Sequence, residues 1–160
     1  MTEPKRLRRG KRFQRLVQSD FELNSKDGLV RREAAVDLVL KRPARKSKGR
    51  ADILITELGD FVTILEIKAT NWDKIKPTNI KKNLWRHQAQ LYSYADRYLD
   101  IDNTSVCAGI IYPTRPRDDD LCKLIESYLE SYGTPAYWYD EIATEKPGNA
   151  PDWLKELLET

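Results

Sequence analysis

The chain has 160 residues, of which 40% are hydrophobic and 33% are charged, a balance that suits one globular domain with a strongly hydrated surface. No uncharged apolar run approaches the ~18 residues of a membrane-spanning helix, and the basic N-terminus lacks the apolar segment of a secretory signal. We therefore expect a cytoplasmic protein, of bacterial or phage type, and no membrane association. Two cysteines, Cys107 and Cys122, lack metal-ligand spacing, and we expect both to be reduced and partly buried.

The net charge of +3 conceals a strong asymmetry along the chain. Residues 1–50 hold 16 Lys and Arg against 6 Asp and Glu, a net of +10, whereas residues 51–160 hold 12 against 19, a net of −7. A basic third of this kind is typical of a protein that contacts a polyanion such as nucleic acid. The alternative is a basic helix that is only solvated.

Three elements are predicted within this basic third. Residues 5–20 carry a patchy helical stripe of apolar residues, and seven of the first fifteen residues are Lys or Arg. Residues 29–40 alternate between apolar and charged side chains, which predicts a half-buried strand. Residues 41–48 hold five basic residues and a proline, and they predict a loop that could hold a nucleic-acid backbone, or a plain solvated connection.

The centre of the chain predicts a β-hairpin. Apolar and β-branched runs at 51–55 and 61–68 flank turn residues at 58–60. Three charged side chains interrupt these apolar runs: Asp52, Glu66 and Lys68.

These three charges are expected to share one patch of the sheet. Glu66 and Lys68 are two residues apart and leave the strand on the same face, and pairing about the turn sets Asp52 opposite Glu66 to within one register. Two carboxylates among apolar residues repel each other and lose hydration, which a divalent cation such as Mg²⁺ compensates. A neighbouring lysine can orient a water molecule or offset phosphoryl charge. The pattern thus indicates metal-dependent phosphodiester hydrolysis; an edge hairpin with three solvated charges is the alternative.

Residues 79–100 form the longest helical pattern, with apolar residues at three- and four-residue spacing. Gln88 lies within this stripe and Tyr92 one turn later. A buried glutamine facing the carboxylates could bond a metal-bound water or a phosphate, or it could bond backbone within the core. His87 lies off the stripe and is expected to be exposed, and a single histidine allows no histidine-based metal cluster or triad.

The remaining elements are predicted more simply. The continuous apolar run at 105–112 predicts a strand buried on both faces. An amphipathic helix is predicted over 121–132, ending at Gly133, with acidic residues before it that favour its N-terminus. A short aromatic strand at 136–139 and a closing helix at 152–159 complete the chain.

The order of elements and the charged motif resemble the PD-(D/E)XK nuclease superfamily. The specific part of the match is the sequence GRAD at 49–52 with EIK at 66–68. QAQLY at 88–92 looks like the QxxxY element of the RecB-like branch; a second copy lies at 90–94, but Gln88 is preferred because helical spacing puts it on the apolar face. The resemblance implies an α/β fold with a restriction-endonuclease-like αβββαβ core, a mixed central sheet flanked by helices. It predicts one domain over 1–160, with a core of about 5–140 and a C-terminal extension.

The resemblance also implies roles for individual residues. Asp52 and Glu66 would ligate Mg²⁺ or Mn²⁺ with the help of the Ile67 carbonyl, Lys68 would position the hydrolytic water, and Gln88 would support them. The family often adds an acidic residue, for which Glu33 is the first candidate and Glu22 the second. The sequence departs from the family where Arg50 and Ala51 replace the name-giving proline.

We therefore predict a Mg²⁺-dependent nuclease that acts on DNA in preference to RNA. Its sequence specificity should be low, because no base-reading element is evident. The alternatives are a catalytically silent nuclease-like module for nucleic-acid binding or assembly, and a ribonuclease toxin domain acting on tRNA. A recruiting or inhibitory protein and a homodimer are the further partners considered. The residues predicted to contact nucleic acid are Arg8, Arg9, Lys11, Arg12, Arg45, Lys46, Lys48, Arg50 and Tyr92.

Overall fold

A computed structural model describes residues 4–24, 29–35, 50–57, 61–99 and 105–142. The elements in chain order are α1 (Lys5–Asn24), β1 (Leu29–Ala35), β2 (Arg50–Glu57), β3 (Phe61–Ile67), a 3₁₀ helix (Trp72–Lys74), α2 (Pro77–Leu99), β4 (Ser105–Tyr112), α3 (Asp119–Ser131), β5 (Ala136–Trp138) and α4 (Tyr139–Ile142). The predicted order of helix, three strands, helix, strand, helix and short strand is confirmed. The predicted loop at 41–48, turn at 58–60 and closing helix at 152–159 lie outside the described residues.

The five strands form one mixed sheet in the order β1-β2-β3-β4-β5. The first three strands pair antiparallel, whereas β3, β4 and β5 pair parallel. A parallel connection needs a long crossover, which α2 provides between β3 and β4 and α3 between β4 and β5. The protein is therefore of the α/β class, with an open mixed sheet flanked by helices. None of the described helices is long and apolar enough to span a membrane.

One face of the sheet carries the larger core. Because side chains alternate along a strand, residues of β2 to β5 with even numbers share this face in the observed register. The buried members of the core are Leu54, Val62, Ile64, Trp72, Ile80, Leu84, Leu91, Tyr94, Ala95, Ile110, Tyr112, Cys122, Ile125, Leu129 and Trp138. Helices α2 and α3 thus cover this face, and Glu66 shares it with Ile64.

The opposite face holds a second buried set. Ile53, Leu65 and Ile111 are buried with odd numbers, and α1 contributes the fully buried Phe13 and Val17. Gly109 of β4 lies close to a neighbouring side chain, because a Cβ at this position would lie 2.5 Å from Cε2 of Tyr137 and the tyrosine ring would have to move.

Strand β4 is buried less completely than its sequence predicts. Its second half is buried, whereas Ser105 and Cys107 in its first half are exposed. The expectation that both cysteines are partly buried was therefore wrong for Cys107, while Cys122 is buried and both are free thiols. A continuous apolar run thus predicts the strand but not which half of it is buried.

Helix α3 begins two residues before its predicted start. Asp118 caps it by accepting hydrogen bonds from the amides of Asp120 and Leu121 at 2.9 and 3.3 Å. The helix stops before Gly133, which has a φ of 69° that favours glycine. The predicted acidic start and glycine stop are both confirmed.

Candidate active site

The β2–β3 hairpin brings the predicted carboxylates together. Ile53 pairs with Leu65, and the same register continued by one residue sets Asp52 opposite Glu66. Oδ2 of Asp52 accepts a hydrogen bond from the backbone amide of Ile67 at 2.8 Å. The carboxylate therefore lies between the two strands at the end of their ladder, where its position is tied to the strand that carries Glu66.

Helix α1 holds Asp52 from the other side. Nε2 of Gln14 donates to Oδ1 of Asp52 at 2.7 Å, and Nε2 of Gln18 donates to the Asp52 carbonyl at 2.8 Å. The two glutamines are four residues apart and therefore share one face of the helix, next to the buried Phe13 and Val17. Neither glutamine was predicted as a site residue. The signal in the sequence that could have identified them is their spacing of four residues, next to the apolar residues of the helix.

Glu66 is a buried carboxylate with an incomplete set of partners. Its side chain is on the apolar face of the sheet and the residue is only 3% exposed. Oε1 accepts a hydrogen bond from Nζ of Lys68 at 3.0 Å, whereas Oε2 is buried and has no hydrogen-bond partner among the described residues. Burial and the negative charge of Asp52 raise the pKa of Glu66 to about 7, although Lys68 opposes the shift. This environment disfavours the ionised form of Glu66 unless another positive charge is present.

Lys68 connects the carboxylates to α2. Its ammonium donates to Oε1 of Gln90 at 2.5 Å as well as to Glu66, and Nε2 of Gln90 donates in turn to the hydroxyl of Tyr94 at 3.2 Å. The side chain of Lys68 is 21% exposed, so the ammonium lies at the boundary between core and solvent. Two fixed acceptors therefore orient a partly accessible ammonium beside the buried carboxylate.

The register that contacts Lys68 is the one at 90–94 and not the preferred one at 88–92. Gln88 is 7% exposed, as its place in the apolar stripe predicted, but the amide bonded to Lys68 belongs to Gln90. Two residues on a helix differ by about 200° around its axis, so the two amides point to different neighbours. Tyr92, predicted to contact nucleic acid, donates its hydroxyl to the carbonyl of Tyr132 at 2.6 Å, and 38% of the residue is exposed.

His87 is partly buried, so the prediction that it is exposed was wrong. Its Nδ1 lies 2.9 Å from the hydroxyl of Tyr112, and its ring packs 6.0 Å from that of Trp72. Burial, followed by the positive charges of Lys68 and Arg86, lowers the pKa of His87 to about 3. The imidazole is therefore neutral near pH 7.

The residues that could hold a divalent cation are Asp52, Glu66 and the carbonyl of Ile67. Carboxylate and carbonyl oxygens are the ligands that Mg²⁺ and Mn²⁺ prefer, and Mg²⁺ is usually bound by one or two carboxylates together with water and phosphate. No group of three or more His, Cys, Asp or Glu side chains in the described part of the chain could hold a metal. The orphaned Oε2 of Glu66 nevertheless matches a ligand atom, so this donor set fits a Mg²⁺ that keeps several waters.

Several predicted site residues are not part of this arrangement. Arg45, Lys46 and Lys48 lie outside the described residues. The side chains of three more predicted residues are also not described: Arg50 begins β2, Glu22 lies in the last turn of α1, and Glu33 lies in β1. On α1 the side chains of Arg8, Lys11 and Arg12 are exposed and that of Arg9 is partly buried. Arg12 and Arg15 also line a depression with Leu16 and Ser19. No protein-family model, no curated protein and no solved structure matches the chain.

Proposed function

We propose that the protein is a Mg²⁺-dependent nuclease, with a restriction-endonuclease-like αβββαβ core, that hydrolyses phosphodiester bonds at Asp52, Glu66 and Lys68. The observation that carries the proposal is the buried carboxylate of Glu66 beside Asp52, in which Oε2 of Glu66 has no partner among the described residues while Lys68 is oriented beside it. A buried acceptor without a partner is unfavourable in a purely structural role, and functional sites are where such groups concentrate.

A structural ion pair is the simplest competing interpretation of Glu66 and Lys68. In that case the fold would satisfy both oxygens of a carboxylate that it buries to 3% exposure, since burying an ion is favourable only when its hydrogen bonds are complete. Only Oε1 is satisfied, and the neighbouring Asp52 adds negative charge instead of removing it. A ligand that brings positive charge to Oε2 removes both penalties at once.

The chain's own residues prepare the site for that ligand. Gln14 and the amide of Ile67 each bond one oxygen of Asp52, which fixes the plane of the carboxylate. Glu66 presents its unpartnered oxygen from the neighbouring strand. When bound, the divalent cation supplies Lewis-acid polarisation of a phosphoryl oxygen and lowers the pKa of water.

The surroundings of Lys68 support a role for its ammonium at the reacting phosphate. Its ammonium is held by Glu66 at 3.0 Å and Gln90 at 2.5 Å, which leaves its third N–H for a water molecule or a phosphoryl oxygen. A fixed cation of this kind stabilises negative charge that develops in the transition state without reorganising. The exposed arginines of α1, together with the net charge of +10 in residues 1–50, support nucleic acid as the substrate.

The proposal is tested by incubating the purified protein with supercoiled plasmid, linear duplex, single-stranded DNA and tRNA, each with Mg²⁺ or with EDTA. We expect Mg²⁺-dependent cleavage that Glu66→Gln and Asp52→Asn remove. Glu130→Gln, at an exposed carboxylate of α3, is the matched control and should cleave at the wild-type rate. Cleavage of all four substrates in EDTA, or an unchanged rate in Glu66→Gln, would overturn the assignment. The order of preference among the substrates separates a deoxyribonuclease from a ribonuclease.

A further inference from the structure

The first half of α2 and the residues before it form a basic island in the acidic part of the chain. Residues 74–95 contain five Lys and Arg and no Asp or Glu, although residues 51–160 carry a net charge of −7. The five cations are all exposed, and none of them makes an ion pair with another described residue: Lys74, Lys76, Lys81, Lys82 and Arg86. Unpaired cations at this density favour a polyanion as the partner.

An exposed tryptophan lies among these cations. Trp85 is 59% exposed, more than any other large hydrophobic residue in the described part of the chain. Its helix already buries Leu84 and Leu91 against the sheet, so Trp85 is not needed for that packing. Lys81 and Lys82 precede it by four and three residues, which places both one turn away on the same side of the helix.

Two of these cations, Lys82 and Arg86, lie in line with a residue of the candidate active site. Lys82, Arg86 and Gln90 follow one another at intervals of four residues and therefore form one ridge along α2, about 12 Å long. Gln90, at the end of this ridge, is the residue that bonds Lys68. A chain of phosphates lying along the ridge would thus arrive beside Lys68.

We propose that the α2 platform, defined as Trp85 with Lys81, Lys82 and Arg86, binds an unpaired nucleic-acid strand by stacking a base on Trp85 and contacting phosphates with the three cations. The idea that this strand is also the substrate rests on the proposed nuclease function. An aromatic ring flanked by cations is how single strands are bound without sequence preference, since every base has a face that can stack. The platform deepens the function by favouring substrates with an unpaired segment near the cleaved bond.

Two other occupants are less consistent with the platform. A duplex keeps its base faces stacked inside the helix, so Trp85 would have no face to contact, although the cations could still bind phosphates. The cores of protein–protein interfaces are depleted in lysine, whereas Trp85 has Lys81 and Lys82 one helical turn before it. An unpaired strand uses both the ring and the charges.

Binding is measured by fluorescence anisotropy with labelled oligo-dT, oligo-U and a DNA duplex of equal length, in EDTA so that no cleavage occurs. We expect Trp85→Ala to lose about 5- to 150-fold in affinity for the single strands, the range of one base–aromatic stack, and to change duplex affinity much less. Trp85→Phe should retain most of the affinity. Leu124→Ala, at an exposed apolar residue of α3, is the control and should bind as the wild type does.

The charges are tested through salt dependence. Replacing Lys82 and Arg86 by alanine should flatten the slope of log K against log salt for single strands by about 1.4, since each phosphate contact releases about 0.7 counterion. Equal binding of the Trp85→Ala and Leu124→Ala variants, or an equal loss on duplex and single strand, would overturn the proposal. A chain that binds neither oligonucleotide would also overturn it and leave a protein partner as the occupant. The oligo-dT and oligo-U arms separate DNA from RNA.

The outcome does not depend on catalysis. If Trp85→Ala binds as the wild type does while Glu66→Gln still abolishes cleavage, the platform is wrong and the nuclease stands. If Trp85→Ala loses single-strand binding but the wild type cleaves nothing, the platform stands and the nuclease is wrong.

Discussion

Gln14 in the first helix donates a hydrogen bond to the carboxylate of Asp52 in the second strand at 2.7 Å. The contact spans 38 residues of sequence and makes α1 a support for the candidate active site as well as a basic surface. Removing a partner that orients a metal-ligating carboxylate commonly lowers metal affinity or activity by about 10- to 100-fold.

We therefore expect Gln14→Ala to lower cleavage by about 10- to 100-fold, with a higher Mg²⁺ concentration needed for half-maximal rate. Gln18→Ala is the matched comparison, because Gln18 bonds the carbonyl of Asp52 and not its carboxylate. That change removes a buried amide, so its effect should fall on stability, by about 1–3 kcal/mol in urea unfolding. Identical Mg²⁺ dependence in the Gln14→Ala variant and the wild type would remove Gln14 from the support of the site.

The two overlapping glutamine–tyrosine registers can be separated by mutation. Gln90→Ala removes one of two acceptors of the Lys68 ammonium, so we expect a lower kcat with KM nearly unchanged. Gln88→Ala removes a buried amide that does not contact Lys68 and should mainly change thermal stability. Lys68→Ala should lower kcat at least as much as Gln90→Ala. A kcat that falls in Gln88→Ala but not in Gln90→Ala would restore the register preferred from the sequence.

The stability of the metal-free protein should depend on the titration of Glu66. Its pKa rises from the ordinary 4.5 to about 7 in the fold, so the stabilising proton is fully present below pH 4.5 and is lost as the pH rises through 7. In EDTA, the free energy of unfolding should therefore fall by about 3 kcal/mol between pH 4.5 and pH 8 from this group. Glu66→Gln should be more stable than the wild type at pH 8, and urea unfolding at several pH values measures the difference. A wild type that is the more stable protein at pH 8 in EDTA would refute an unfavourable buried carboxylate.

His87 should give the opposite pH dependence. Its pKa falls from 6.5 to about 3, so the stability of the neutral form is present above pH 6.5 and is lost as the pH falls towards 3. His87→Phe keeps an aromatic ring against Trp72 but cannot be protonated, so its unfolding should be less sensitive to acid. The check is the difference in urea midpoint between pH 7 and pH 4 for the two proteins. If the urea midpoint changes equally in the two proteins, protonation of the buried His87 does not contribute to the acid sensitivity of the fold.

The sequence predicted the parts of the site that depend on local spacing. Asp52, Glu66 and Lys68 lie on one hairpin, so alternation and a short turn were enough to bring them together. Gln14 and Gln18 were missed because their contact with Asp52 joins α1 to β2 through tertiary packing that no local period encodes. The contact of Lys68 with Gln90, and not with Gln88, was missed for a related reason: helical spacing predicts which amide is buried, but not which one reaches the end of the Lys68 side chain. His87 was expected to be exposed because it lies off the apolar stripe of its helix. The rings of Trp72 and Tyr112 that pack against it come from a 3₁₀ helix and a strand elsewhere in the sequence, which the helical period does not include.

Strand β4 shows that apolar composition alone does not predict how completely a strand is buried. The eight apolar or small residues from Ser105 to Tyr112 predicted burial on both faces, yet only the second half of the strand is buried throughout. How much of a strand is buried depends on where the helices pack against the sheet. The bounds of β4, in contrast, are those that the sequence predicted.

The central claim is that Asp52 and Glu66 bind one divalent cation, and Mn²⁺ titration followed by electron paramagnetic resonance tests it most directly. At pH 8, the wild type and the Glu130→Gln control should remove free Mn²⁺ from solution to the same extent, because both keep the two carboxylates and the Ile67 carbonyl. Glu66→Gln and Asp52→Asn should each lose most of this binding, and a circular dichroism spectrum equal to that of the wild type verifies their fold. Mn²⁺ binding by Glu66→Gln equal to that of the wild type would contradict the claim.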